Sequence, residues 1–314
     1  MAGHPKYLWW NGKQVAWEDA MVHVSDIAWS ATGAVFEGIR AYWNDEREEL
    51  FVFRLREHMQ RLKDSSKMVR LPIQESVDDL VGITIDLLRA NECREDTYVF
   101  PLVYFGEART KRADPGSLHG DLYITTDSRP SHLGTGMTQR AKVSSWNRIS
   151  DNVMPPRVKN ISNYRNGQLA TYEVKQDGYD VALLLGPDAK VTESSGACVM
   201  FVKNGKLITP DPASGILESI TRDALMTLAR EELGIPVIER RVDRTELYTA
   251  DEVFLCGTMA EITPIVEVDR YAVGDGGIGP VTAALEDRFI NIVRGNEATR
   301  ADWRTPVGIG SGVV

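Results

Sequence analysis

The chain is poor in cysteine: among its 314 residues there are three, Cys93, Cys198 and Cys256, and no two form a CxxC pair. That excludes a disulfide framework and leaves too few thiols for a structural zinc site, so a reducing compartment, the cytoplasm, is expected and no metal is. No apolar run approaches the roughly 20 residues needed to cross a bilayer. The opening stretch, MAGHPKYLWWNGKQ, lacks the apolar core of a signal peptide. Positive charge is also short, with 36 Lys and Arg against 45 Asp and Glu and a net charge of -9. Such a surface repels phosphate backbones, which excludes nucleic acid as an expected partner. An anionic cofactor would need local positive charge or oriented backbone amides.

What is present is ample core material, 43% apolar residues against 26% charged, the profile of a globular protein. Trp10-Asn11-Gly12-Lys13 predicts a two-residue hairpin turn, because Asn-Gly accepts positive φ at both positions. A strand is expected over 49–54, and Leu55, Met59, Leu62 and Val69 recur at helical spacing after it. A second helix is expected over 77–90, and strands over 97–105 and 121–126. Turn formers then accumulate over 128–136 (SRPSHLGTG), read as the connection between a domain at 1–127 and another at 137–314. Beyond it the pattern predicts a strand over 141–146, a helix over 163–176, a strand over 180–185 and a hairpin around Asn204-Gly205. A helix over 221–232 stops at Gly234, a strand over 251–255 runs into Gly257-Thr258, and a last helix covers 280–294. Mixed elements of this kind predict an α/β or α+β fold in two domains.

Two segments carry chemical interest on their own. In ESITRD at 218–223, hydroxyls stand at the mouth of an amphipathic helix, whose first-turn N–H groups can bind an anion; the commoner role of such a segment is a simple cap. The turn GTMA at 257–260 follows a buried strand, a frequent place for ligands and an equally frequent place merely to reverse the chain. Lys159, near Pro155-Pro156, and Glu193, in VTESSG, would each by itself be read as a solvated charge.

Taken in order, VFEGIRAY (35–42), REHMQRLKDSSKM (56–68), SSWNR (144–148), ITRD (220–223) and ADEVFLCGTMAEITP (250–264) make the chain similar to the branched-chain amino acid aminotransferases, fold-type IV enzymes dependent on pyridoxal 5'-phosphate (PLP). The likeness runs from about Trp10 to Trp303. It implies a smaller N-terminal α/β domain, a larger C-terminal domain built on a pseudo-barrel, and a homodimer in which the loop near His132 reaches the partner's pocket. It also implies that Lys159 holds PLP covalently and, when released by substrate, shuttles the proton between Cα and C4'. Tyr164 would hydrogen-bond the phenolic oxygen and Glu193 would pair with the pyridine nitrogen. Arg61, the amides of Ile220 and Thr221 and the hydroxyl of Thr258 would hold the phosphate. Phe36 and Tyr98 would line the substrate pocket with Arg40 supporting that wall, and the turn at Thr258 and Met259 would offer amides to a carboxylate.

Departures from the family's pattern gather in the substrate pocket. Ala31 stands where a tyrosine is usual, and Phe100 where an arginine normally helps accept carboxylates. A phenyl ring cannot supply the bidentate contact of a guanidinium, so Arg109 or Lys111 are candidate anchors. Cys198 and Ser219 replace an asparagine and a glycine near the cofactor; both are small, and Cys198 is expected to be a buried small residue. The expected activity is transamination between branched-chain L-amino acids and 2-oxo acids by a ping-pong route. The alternatives are an (R)-selective amine transaminase or mixed specificity, a D-amino acid aminotransferase, an aminodeoxychorismate-lyase-like enzyme, and a non-catalytic PLP-binding protein.

Overall fold

A computed structural model describes residues 4–24, 27, 31–106 and 119–309. The chain forms two compact units, one of Met1–Ser131, Val158–Ser162 and Asn291–Val314, the other of His132–Arg157 and Asn163–Ile290. This corrects the continuous division at 128–136. Lys159 belongs to a five-residue piece that returns to the first unit, as does the C-terminus. Tertiary pairing makes the difference: Val35 bridges Asn160, and the last strand pairs with one near the start. Neither leaves a mark in composition.

The first unit contains β1 (Tyr7–Trp10), β2 (Lys13–Ala16), β3 (Val35–Phe36), β4 (Ile39–Asn44), β5 (Glu49–Phe53), α1 (Leu55–Met68), α2 (Val77–Ala90), β6 (Thr97–Phe105) and β7 (Gly120–Ser128). With the C-terminal strand Arg304–Pro306 first, the sheet runs through β5, β4, β6, β7, β1 and β2, and β3 lies beside β6. The expected hairpin is present, with Asn11 and Gly12 at φ 44° and 89°. Helix α1 buries Leu55, Met59 and Leu62 against Ile39, Leu50 and Val52 of the sheet, the stripe that its spacing announced. Ser76 caps α2 in a reciprocal box with Asp79. Along β6, Thr97, Val99, Pro101 and Val103 are buried, whereas Tyr98, Phe100, Leu102 and Tyr104 form a half-buried face.

The second unit contains β8 (Gln139–Asn147), most of α3 (Ile161–Gln176), β9 (Val181–Leu185), β10 (Val191–Ser194), β11 (Cys198–Lys203), β12 (Lys206–Thr209), α4 (Ile220–Glu231), β13 (Val237–Glu239), α5 (Arg244–Tyr248), β14 (Glu252–Gly257), β15 (Glu261–Val268) and β16 (Tyr271–Ala272), and α6 (Pro280–Val293) follows. Its sheet runs β10-β9-β8-β15-β14-β11-β12-β13, and β10 also pairs with β11. That extra pairing closes β8, β9, β10, β11, β14 and β15 into a ring, the pseudo-barrel expected of the fold. Closure removes sheet edges, and Val143, Leu183, Val199, Phe201, Leu255 and Ile265 pack within it. Among the described residues no helix is long and apolar enough to cross a membrane.

Candidate active site

In the first unit, Lys159 is fixed by its main chain. Its carbonyl accepts from Phe36 N at 3.0 Å, and its own N–H lies 3.4 Å from Ser65 Oγ on α1. Ile161 N donates to Ala34 O at 2.9 Å, so the segment is stitched to β3 on both sides of the lysine. The Nζ stands 4.6 Å from the centroid of the Phe36 ring, and the residue is half-buried.

Phe36 begins an aromatic wall. Its ring lies 5.3 Å from that of Phe100, which is 6.3 Å from Tyr98 and 6.2 Å from Tyr123. Tyr123 was not singled out from the sequence; the alternation of β7 and its pairing with Leu102 put it on the same face. Burial pushes its hydroxyl up to about 12. Tyr98 packs over Gly38, where a Cβ would come within 2.2 Å of the tyrosine oxygen, and this requires the glycine of VFEGIRAY. Arg40 is 3% exposed and donates to Arg129 O at 2.7 Å, so it braces the wall from behind and is not on its surface. Ala31 opens onto an apolar cavity of about 780 Å³ within this unit, lined also by Ala34, Leu102, Tyr123 and Ile161. Arg109 and Lys111 lie outside the described residues.

Behind the wall is a group that sequence reading quoted without assigning. Glu37 is wholly buried and accepts from Arg61 Nε at 2.7 Å, Arg61 Nη2 at 2.8 Å and His58 Nδ1 at 2.7 Å. Burial pushes its carboxyl upward, but Arg61 and His58 more than offset this and hold it at about 2, against an ordinary 4.5. Burial also drives His58 below its ordinary 6.5; Glu37 opposes this, and Arg61 and Lys159 reinforce it. Each group therefore takes up a proton more readily in the unfolded chain, so each contributes stability at neutral pH that is lost on acidification. The loss should begin as pH falls below 6.5 and continue from 4.5 toward about 2. Urea melts across this range should show a falling midpoint, and Glu37→Gln should flatten the acid limb. A wild-type midpoint that rises on acidification would contradict this arrangement.

In the second unit, Glu193 lies on β10, not in the turn beyond it, and is 5% exposed. One carboxylate oxygen pairs with Arg148 Nη2 at 2.7 Å and the other accepts from Leu217 N at 3.0 Å. Donors to both oxygens favour the anion. Arg148, the last residue of the SSWNR motif, was not given a role from sequence. Tyr164 is half-buried on the first turn of α3. That helix packs on the turn after Glu193 through Gly167, where a Cβ would fall 2.4 Å from Ser195 O.

The anion-binding helix mouth is also present. Ser219 caps α4 by accepting from Arg222 N at 3.2 Å. Arg222 is buried and donates to Thr209 Oγ1, Pro210 O and Glu239 Oε2, which fixes the amides of Ile220 and Thr221. Thr258 is half-buried in the turn between β14 and β15, and Met259 is 44% exposed. His132 pins that turn: its N–H and Nδ1 both reach Glu261 Oε2 at 2.9 Å, and Nε2 donates to Ala260 O at 3.0 Å. Its ring is thus engaged within its own unit. Glu261 is 1% exposed at φ 43°, a strained conformation that these contacts hold in place. Cys198 is 3% exposed and sits opposite Cys256 in the register of β11 and β14. Burial pushes the Cys256 thiol well up, so both are packing residues, as expected for Cys198. Among the described residues no cluster of His, Cys, Asp and Glu could hold a metal ion.

A lysine tethered beside an aromatic wall, a buried carboxylate fixed as an anion and a capped helix mouth are the parts of one class of enzyme, and residues 34–268 match the amino-transferase class IV family, to which the chain belongs. Within it, the chain is 42% identical to the probable branched-chain-amino-acid aminotransferase of Aquifex aeolicus, over 96% of each chain. It is 40% identical to the Salmonella typhimurium branched-chain-amino-acid aminotransferase, covering 96% of this chain and 97% of that one. The crystal structure of the Thermobaculum terrenum branched-chain amino acid aminotransferase in its PLP form is similar at a TM-score of 0.93 with 48% identity, covering 97% of this chain and 99% of the other.

Proposed function

We propose that the protein is a PLP-dependent aminotransferase that moves an amino group between branched-chain L-amino acids and a 2-oxo acid in two half-reactions. The observation that carries this reading is Glu193, a buried carboxylate kept anionic by Arg148 and Leu217 N. The donor set fits PLP: an amine at Lys159, a guanidinium at Arg61, helix-mouth amides at Ile220 and Thr221, and a phenol at Tyr164. When bound, PLP supplies the electron sink that makes the Cα proton of an amino acid removable.

Glu193 accepts the pyridine N–H and keeps that nitrogen protonated. Tyr164 donates to the phenolic oxygen. Arg61, the Ile220 and Thr221 amides and the Thr258 hydroxyl bind the phosphate. Lys159 holds the cofactor and, once substrate has displaced it, takes the proton from Cα and returns it at C4'. Phe36, Tyr98, Phe100 and Tyr123 exclude water and shape an apolar side-chain pocket, and the turn at Thr258 and Met259 orients the substrate carboxylate. The same reading makes the enzyme at least a homodimer in the cytoplasm, in keeping with three free thiols. A fully active monomer in analytical ultracentrifugation would remove the dimer.

The first experiment is the visible spectrum of the purified protein during titration with L-leucine and, separately, (R)-1-phenylethylamine. Bleaching of the cofactor band by L-leucine is expected; no band, even after PLP is added, would overturn the reading. Bleaching by the amine as well would extend the range to amines, which the uncharged wall around Phe100 makes worth testing. Phe100→Arg introduces a charge-assisted contact of about 1.5–3 kcal/mol. It should therefore shift the kcat/KM ratio toward dicarboxylic substrates over simple amines by tenfold or somewhat more, and a shift the other way would contradict the placement of Phe100 in the pocket.

A further inference from the structure

Three residues of α1 form one stripe at helical spacing: His58, Arg61 and Ser65. The first two meet Glu37, just beyond the end of β3, and the third meets the amide of Lys159. Phe36, next to Glu37, in turn donates its N–H to the Lys159 carbonyl. A single helical face and a single strand end therefore brace both Arg61 and Lys159.

The contact between Glu37 and Arg61 has a definite geometry. Nε and Nη2 of the guanidinium reach separate oxygens of the carboxylate, at 2.7 and 2.8 Å. A guanidinium is a rigid plane with five N–H donors. Fixing the Nε–Nη2 edge therefore fixes where the Nη1–Nη2 edge points. The Glu37 side chain is 0% exposed and that of Arg61 is 16% exposed, so the carboxylate holds the buried edge and the other edge is the one a ligand can approach. His58 Nδ1 donates to the Glu37 oxygen that also takes Nη2, which stops the carboxylate from rotating. A long arginine side chain left to itself would lose rotamer freedom on binding a phosphate; here the protein has already fixed it.

We propose that Glu37 and His58 are positioning residues for the PLP phosphate: they hold Arg61 so that its outer edge meets the phosphate preorganised, at a fixed offset from Lys159. The inference rests on the reading that Arg61 binds the phosphate. It gives the glutamate of VFEGIRAY and the histidine of REHMQRLKDSSKM a role in cofactor retention rather than in the chemistry.

The test is equilibrium binding to resolved enzyme of two probes, PLP and pyridoxal, which lacks the phosphate. Wild type, Glu37→Gln, Arg61→Ala and the double variant form a cycle. Glu37→Gln should raise the PLP Kd by about tenfold or more, leave the pyridoxal Kd within about twofold, and add little when Arg61 is already alanine. His58→Leu should also weaken PLP binding, and His58→Asn, which can put a donor near the place of Nδ1, should restore most of it; this pair decides the matter if Glu37→Gln does not fold. Loss of PLP affinity in Arg61→Ala without coupling to Glu37, or equal losses for PLP and pyridoxal in Glu37→Gln, would overturn the inference and leave Arg61 as the phosphate ligand. Unchanged PLP affinity in Arg61→Ala would overturn that parent reading, and the inference with it.

Discussion

Lys159→Ala is expected to lower kcat with L-leucine and 2-oxoglutarate on the order of ten-thousandfold, the upper end of what a positioned acid–base group supplies, while the protein stays folded. The separation of the two effects follows from how the lysine is held. Its structural bonds are made by the main chain, to Phe36 N and Ser65 Oγ, and alanine keeps both. What is lost from the fold is the contact of Nζ with the Phe36 ring at 4.6 Å, worth about 0.5–1 kcal/mol for a cation near an aromatic face. The melting temperature should therefore move by a few degrees at most. Cofactor should still bind through the phosphate and ring contacts, without the covalent anchor. Rate and melting temperature together discriminate: a variant that retains wild-type turnover would remove Lys159 from the mechanism. One that melts far below wild type would mean that the side chain, not its main chain, ties the segment to β3 and α1.

How far the sequence could be read depends on the range of the forces involved. Local ones were legible. The turn at Asn11-Gly12 follows from the positive φ that Asn-Gly tolerates, the stripe Leu55, Met59, Leu62 follows from helical period, and Gly234 ends α4 at φ 64°. The short or irregular elements were not: β10 spans four residues and looked like a turn because Ser194 to Gly196 follow it, and β4, with five of its six residues buried, shows no alternation to detect. The return of 158–162 to the first unit was illegible because it rests on a bridge between Val35 and Asn160, far apart in the chain. The site shows the same contrast. Motif order brought Lys159, Tyr164, Glu193, Arg61 and the helix mouth to notice. It said nothing of what holds them: Glu37 and His58 behind Arg61, Arg148 behind Glu193, His132 and Glu261 behind the turn at Thr258. These supporting pairs join residues from separate elements, and spacing along the chain does not encode such contacts.

The second large effect concerns Glu193, and there the structure changes what the sequence suggested. Glu193→Ala looks from sequence like a purely catalytic lesion, with loss of orders of magnitude in rate on an intact fold. In the folded protein it also strands Arg148, whose side chain is 10% exposed and pairs with Glu193 at 2.7 Å. Among the described residues Arg148 Nε is already a buried donor without a hydrogen-bond partner, so little else is at hand to compensate the charge. Removing one partner of a buried ion pair costs about 3–5 kcal/mol. Glu193→Ala should therefore lose both rate and stability, and rate alone would misattribute the effect. Removing both charges together separates the two terms, because deleting a buried pair is close to neutral where deleting half of it is not. The double variant Glu193→Gln/Arg148→Met should recover most of the urea midpoint lost in Glu193→Ala, yet remain at least about a hundredfold slower than wild type, because a neutral amide cannot keep the pyridine nitrogen protonated. Recovery of rate along with stability would mean that Glu193 acts only as the counter-charge of Arg148. Failure to recover stability would mean that the Leu217 amide, which Glu193 also accepts from at 3.0 Å, holds this part of the unit together instead.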